Sequence, residues 1–105
     1  MEVYMPPDLL ELYTDGNNRT YDAIARNKTL LTGFIRAVKT MESADSIDSL
    51  RAFSYLHYER LKYNMGGYSS VRLSNRYVHR LIFKEEQDGI KIEMIKIDDT
   101  HYGNK

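Results

Sequence analysis

Cysteine is absent from the sequence, which excludes a disulfide framework, a thiol nucleophile and any zinc site built on thiolates. Proline is nearly absent: Pro6 and Pro7 are the two present, and their adjacency marks an extended N-terminal segment, 1–8, so the fold is expected to start near residue 8. No apolar run approaches the ~18 residues of a membrane span. The opening residues, MEVYMPPDLLELY, lack the basic start and apolar centre of a signal peptide. A cytoplasmic chain without membrane contact is the expectation. Also missing are internal repeats, low-complexity tracts, a glycine-rich phosphate loop, a carboxylate metal cluster and a serine-hydrolase signature. No motif calls for a metal or a cofactor.

What is there suits one domain. The 105 residues are 42% hydrophobic and 29% charged, enough to bury a core and ordinary for a water-soluble protein. Net charge is zero but unevenly spread. Residues 57–80 hold Arg60, Lys62, Arg72, Arg76 and Arg80 against the single acid Glu59, and the rest of the chain is net acidic. Tyr58, Tyr63, Tyr68, Tyr77, His57 and His79 lie in the same stretch. Cations interleaved with rings suit RNA, where phosphates need neutralising and unpaired bases need a flat surface. A solvated strand face with cross-strand aromatic pairs has the same composition.

Hydrophobic periodicity divides the chain. Leu9, Leu10, Leu12 and Tyr13 form an apolar cluster, strand or short helix, that stops at the turn signal Asp15-Gly16-Asn17-Asn18. Leu30, Leu31, Phe34, Ile35, Val38 and Met41 recur at helical spacing, with Asn27 or Thr29 to cap the start. Gly33 inside this helix costs ~1 kcal/mol relative to alanine and permits close backbone packing. Ser46 caps a short helix carrying Ile47, Leu50 and Phe53. Residues 9–56 are thus mainly helical. The period then changes: Tyr68 to Leu73, Tyr77 to Phe83 and Ile90 to Ile97 read as three consecutive antiparallel strands, separated by Ser74-Asn75 and Gln87-Asp88-Gly89. Helices followed by a meander predict an α+β domain with the helices on one sheet face and the other open to a ligand.

Several segments resemble a known family. Leu12-Tyr13-Thr14-x-Gly16 with Tyr21 downstream, Leu56-His57-Tyr58-Glu59-x-Leu61-Lys62, Ser70-Val71-Arg72-Leu73, Arg80-Leu81-Ile82-Phe83 and His101-Tyr102-Gly103 look like the HigB branch of the RelE/ParE toxins of bacterial type II toxin–antitoxin modules. Each piece alone is common, and the order and spacing carry the resemblance. It implies a single compact RelE/ParE-like α+β domain over 1–105, with a basic loop and antiparallel strands over 57–103. It further implies cleavage of mRNA in the ribosomal A site without a metal ion, and a HigA-like helix-turn-helix antitoxin as partner. Some relatives of this fold bind DNA gyrase instead, and a degenerate toxin kept as an antitoxin-binding partner is a further alternative.

Metal-free RNA cleavage needs a base for the 2′-hydroxyl, an acid for the leaving 5′-oxygen and cations around the phosphorane. The resemblance assigns His101, matching the family's C-terminal histidine, as the first acid–base group and His57 as the second. Arg80 matches the arginine of the Arg-x-Ile-Phe strand and would stabilise the phosphorane. Arg72, Lys62 and Arg60 are candidates for the substrate backbone. Arg72 shares a sheet face with Arg80 only if the connecting loop is 75–77 rather than 75–76. Tyr102 would stack on a base and Asp99 would orient His101. His79 has no family counterpart and is read as strand packing. Two departures stand out: many members end Asp-Tyr-His where this chain has Asp99-Thr100-His101-Tyr102, and ribosome-directed members are usually basic whereas this chain is neutral.

Overall fold

The computed structural model describes residues 1–62 and 66–97. Four helices precede most of a five-stranded mixed sheet: β1 (Glu2–Tyr4), α1 (Pro7–Asp15), α2 (Asp22–Ala25), α3 (Lys28–Ser43), α4 (Ile47–Arg51), β2 (Glu59–Arg60), β3 (Tyr68–Arg72), β4 (His79–Glu86) and β5 (Gly89–Ile97). The first apolar cluster is helical: Pro7 occupies the first turn, where its missing N–H costs nothing, and Gly16 ends the helix in the left-handed region at φ 71°. Asn27 rather than Thr29 caps α3, its side chain accepting from the Leu30 N–H at 3.2 Å. Ser46 caps α4 in the same way, accepting from the Ser49 N–H.

The sheet runs in the order β1-β5-β4-β3-β2. β3, β4 and β5 are the expected antiparallel meander. The flanking strands are not visible in the sequence pattern. β2 is a two-residue pair, Glu59 with Ser70 and Arg60 with Ser69. At the other edge Glu2–Tyr4 joins the sheet parallel to β5, Val3 opposite Ile90, so the fold takes in residues that precede the expected starting point near residue 8. The reason is a close approach: a Cβ on Gly89 would lie 2.2 Å from the Glu2 carbonyl oxygen, so only glycine lets β1 dock there. The Met1 ammonium, in turn, donates to the Glu42 and Ala44 carbonyls at the end of α3, where a positive charge complements the helix dipole.

One face of the sheet carries the core. Leu9 and Leu12, Ile24, Phe34, Val38 and Met41, and Leu50 pack from the four helices on Val71, Leu73, Leu81, Phe83, Ile90 and Ile92. Gly33 brings α3 against the end of β3, where an added Cβ would be 1.9 Å from the Leu73 carbonyl oxygen. Strand alternation turns the other set of side chains to the opposite face. Across the strands these run as Arg72, Arg80 and Lys96, then Glu59, Ser70, Ile82 and Met94, then Tyr68, Lys84 and Lys91. A bulge opposite Ile82/Phe83 shifts the register on β5, which lets Ile92 and Met94 face opposite sides.

Candidate active site on the open sheet face

Arg72 and Arg80 are direct cross-strand partners, so the 75–77 loop geometry is the one adopted and both side chains share the face without helices. Their environments differ. Arg72 is half-buried and its Nη1 donates to the Tyr77 carbonyl at 3.0 Å, bracing the hairpin. Arg80 is only 3% exposed. Its Nε donates to Ser70 Oγ at 2.6 Å, and its Nη2 donates to the His57 carbonyl and lies 3.8 Å from Glu59 Oε1. A guanidinium taken out of water needs this set of acceptors, since an unpaired buried charge is far costlier than an unmade neutral hydrogen bond.

The Arg80 contacts shape the segment before β2. Leu56 ends a single 3₁₀ turn, and His57 follows in the left-handed region, φ 48° and ψ 54°. That conformation is uncommon outside glycine, although histidine is among the side chains that tolerate it. It is held by the Arg80 bond to the His57 carbonyl and by a 2.8 Å hydrogen bond between His57 Nε2 and Asn75 Oδ1 on the β3–β4 hairpin. With the amide oxygen accepting, the proton sits on Nε2 and Nδ1 is left as the basic nitrogen of an exposed ring. Two residues on, Glu59 is paired with Ser70 and turns its carboxylate, 46% exposed, toward the Arg80 guanidinium.

His57, Glu59, Arg72 and Arg80 therefore meet at one end of the open face: a basic ring nitrogen, a carboxylate and two guanidinium groups. A phosphodiester placed there would meet the half-buried Arg72 from β3 and a proton acceptor from the His57–Glu59 segment, with the charge of Arg80 held just beneath by its own acceptors. Arg60 points the other way, because it pairs with Ser69 on the helix-bearing side of the sheet. Lys62 is exposed just past the Leu61 N–H bond to the Tyr68 carbonyl, at the sheet's outer edge. His101, Tyr102 and Asp99, with Tyr63, lie outside the described residues. His79 packs as expected, edge-on to Tyr77 with centroids 6.2 Å apart. Its Nδ1 is buried without a hydrogen-bond partner among the described residues, and burial holds the imidazole below its ordinary pKa. Tyr58 is tied into the structure: its hydroxyl bonds Ser69 and Glu85, and Arg51 stacks 4.9 Å above its ring.

Neither a protein-family model nor a curated protein sequence matches the chain. Solved structures do. The YoeB–YefM complex from Staphylococcus aureus is similar with a TM-score of 0.59 at 22% identity, over 93% of this chain and 97% of that one. The chain shares its fold with YoeB. The heterotetrameric YoeB–YefM toxin–antitoxin complex from the same organism gives 0.58 at 20% identity, and the YoeB dimer 0.56 at 22%, each over 93% of this chain and 97% of the other. The α+β class and the helices-on-one-face architecture expected from the sequence are thus those of a YoeB-like fold. Fold alone does not carry chemistry, which rests on the residues above.

Two of those residues escape sequence reading. Glu59 reads as the lone acid in a basic stretch, and only its pairing in a two-residue strand brings it to Arg80. Asn75 reads as a turn former. Glu59 has one sequence signal, its position two residues after His57 inside a run of five cations. Among the described residues no group of three or more histidines, aspartates or glutamates is arranged to hold a metal ion, and no helix is long and apolar enough to cross a membrane.

Proposed function

We propose that the protein is the toxin of a type II toxin–antitoxin module, of the RelE/ParE superfamily, and that it cuts mRNA in the ribosomal A site by attack of the 2′-hydroxyl on the adjacent phosphate. The observation that carries the reading is the convergence of Arg80, Glu59, Arg72 and His57 on the open face of a YoeB-like sheet. Glu59 or His57 Nδ1 accepts the 2′-hydroxyl proton, Arg72 and Arg80 offset charge on the phosphorane, and His101 protonates the leaving 5′-oxygen. Lys62 contacts the flanking backbone, Tyr102 stacks on a base and Asp99 orients His101; Arg60, turned to the other side of the sheet, has no part in it. The reaction needs no metal or other cofactor. Its site is cytoplasmic, where translation occurs.

The proposed partner is an antitoxin. YoeB structures solved with YefM support a toxin–antitoxin pair, and the resemblance to HigB suggests a helix-turn-helix protein of the HigA kind. Primer extension on a defined mRNA, with and without programmed ribosomes, tests the activity. Cuts confined to the ribosome establish it. Intact mRNA with growth arrest and DNA-damage signalling on expression points to gyrase, and no growth arrest points to a degenerate toxin.

A further inference from the structure

A second cluster of cations lies outside the proposed site, on the other side of the β3–β4 hairpin. A cleft of about 300 Å³ separates α3 from the start of that hairpin, lined by Lys28, Thr29, Thr32 and Arg36 on the helix and by Ser74 opposite, with Gly33 and Leu73 at its floor. Lys28, Thr32 and Arg36 follow one another at a spacing of four, which places them in a stripe about 12 Å long on one helix face. No acidic side chain lines the cleft, and neither Lys28 nor Arg36 forms an ion pair among the described residues. The walls are fixed by the contact of Gly33 with the Leu73 carbonyl.

The cleft is also preorganised. The Arg36 guanidinium lies 4.6 Å over the Tyr55 ring, whose hydroxyl is hydrogen-bonded to Thr40 Oγ1 at 2.8 Å, so part of the cost of ordering this long side chain on binding is already met. Two cations with three hydroxyls and no carboxylate match a chain of phosphodiesters, whose oxygens accept from both kinds of donor. Continuity selects the source. Ser74 lines the cleft, its neighbour Asn75 holds His57, and Arg76 is exposed between the two sites.

We propose that this cleft binds the sugar–phosphate backbone of the substrate RNA beyond the segment at the sheet face, the strand passing over the hairpin past Arg76. The inference rests on the nuclease reading above and adds a second anchor point to it. Single-stranded RNA oligonucleotides of three and of nine nucleotides, 2′-O-methylated so that they are not cut, are titrated against the full-length protein and followed by fluorescence anisotropy. For Lys28→Gln and for Arg36→Gln the nine-mer is expected to bind about five- to tenfold more weakly, with the salt slope reduced by about 0.7 for each phosphate no longer neutralised, while the three-mer is unaffected. Lys39→Gln, an exposed lysine of the same helix outside the cleft, is the control for a general charge effect and should bind like the unaltered protein. Thermal melting of each variant confirms folding.

Equal weakening by Lys39→Gln, unchanged nine-mer binding in the cleft variants, or no RNA binding by the unaltered protein overturns the assignment. Binding of polyglutamate as tight as that of the nine-mer also overturns it, and identifies an acidic protein segment as the occupant. Cleavage of mRNA on programmed ribosomes, measured in parallel, shows whether the nuclease reading stands when the cleft assignment falls.

Discussion

Arg80 does two kinds of work, and substitution separates them. Arg80→Ala strands the Ser70 hydroxyl, the His57 carbonyl and the Glu59 carboxylate together, so a loss of about 3 kcal/mol of stability is expected in urea denaturation. Any fall in activity is then mixed with unfolding. Glu59→Gln is the cleaner probe, because the side chain is half exposed and the amide keeps an acceptor for Arg80. Its stability should change by less than about 1 kcal/mol, whereas cleavage in the primer-extension assay should fall roughly 10²- to 10⁴-fold if Glu59 is the base. Unchanged cleavage assigns that role to His57. A third residue titrates against the fold. Burial lowers the His79 pKa, so the folded state takes up this proton less readily than the unfolded chain does. The stability associated with neutral His79 is therefore complete above the unfolded value of about 6.5 and is lost as pH falls through the lower folded value. His79→Leu should narrow the difference in melting temperature between pH 8 and pH 5, a comparison that needs only thermal scans of the two proteins.

At the scale of elements, what the sequence shows depends on whether an element is specified locally. α3 is legible because its apolar residues repeat at helical spacing and Asn27 caps it, and the three-strand meander is legible because each strand is bounded by turn residues. β1 and β2 are three and two residues long, too short to show a period, and each is made by a partner strand rather than by its own composition. The candidate site inherits the same division. Arg72 and Arg80 sit on long strands, and their pairing follows once the loop geometry is known. Glu59 reaches Arg80 through the strand that leaves no pattern, and the left-handed His57 is set by contacts with Arg80 and Asn75 that no local rule contains. Gly33, by contrast, is legible as an oddity in a helix and explained only by the Leu73 carbonyl. Gly33→Ala gains ~1 kcal/mol of helix propensity but forces α3 away from β3, and a net loss of about 1–3 kcal/mol should appear in urea denaturation. Widening of the Lys28–Ser74 cleft should accompany it.

For the molecule as a whole, zero net charge conceals a sorting of charge by place. The open face and hairpin present Arg72, Lys84, Lys91, Lys96 and Arg76, and the helical half adds Lys28 and Arg36 beside them although it is acidic overall. Weak long-range attraction with strong local attraction follows, because screening removes distant charges first. With about four phosphates of a single strand neutralised, the logarithm of the RNA binding constant should fall against the logarithm of salt concentration with a slope of about −3. A slope near zero would mean that the cations serve the fold alone.

The parallel pair of β1 with β5 has a consequence in time. Glu2 and Gly89 are sheet partners, so β1 must wait during synthesis for β5, and the five-stranded sheet closes only after residues 89–97 have been made. For a protein whose proposed substrate is mRNA under translation, a growing chain that lacks β5 lacks the completed sheet that supports the proposed site.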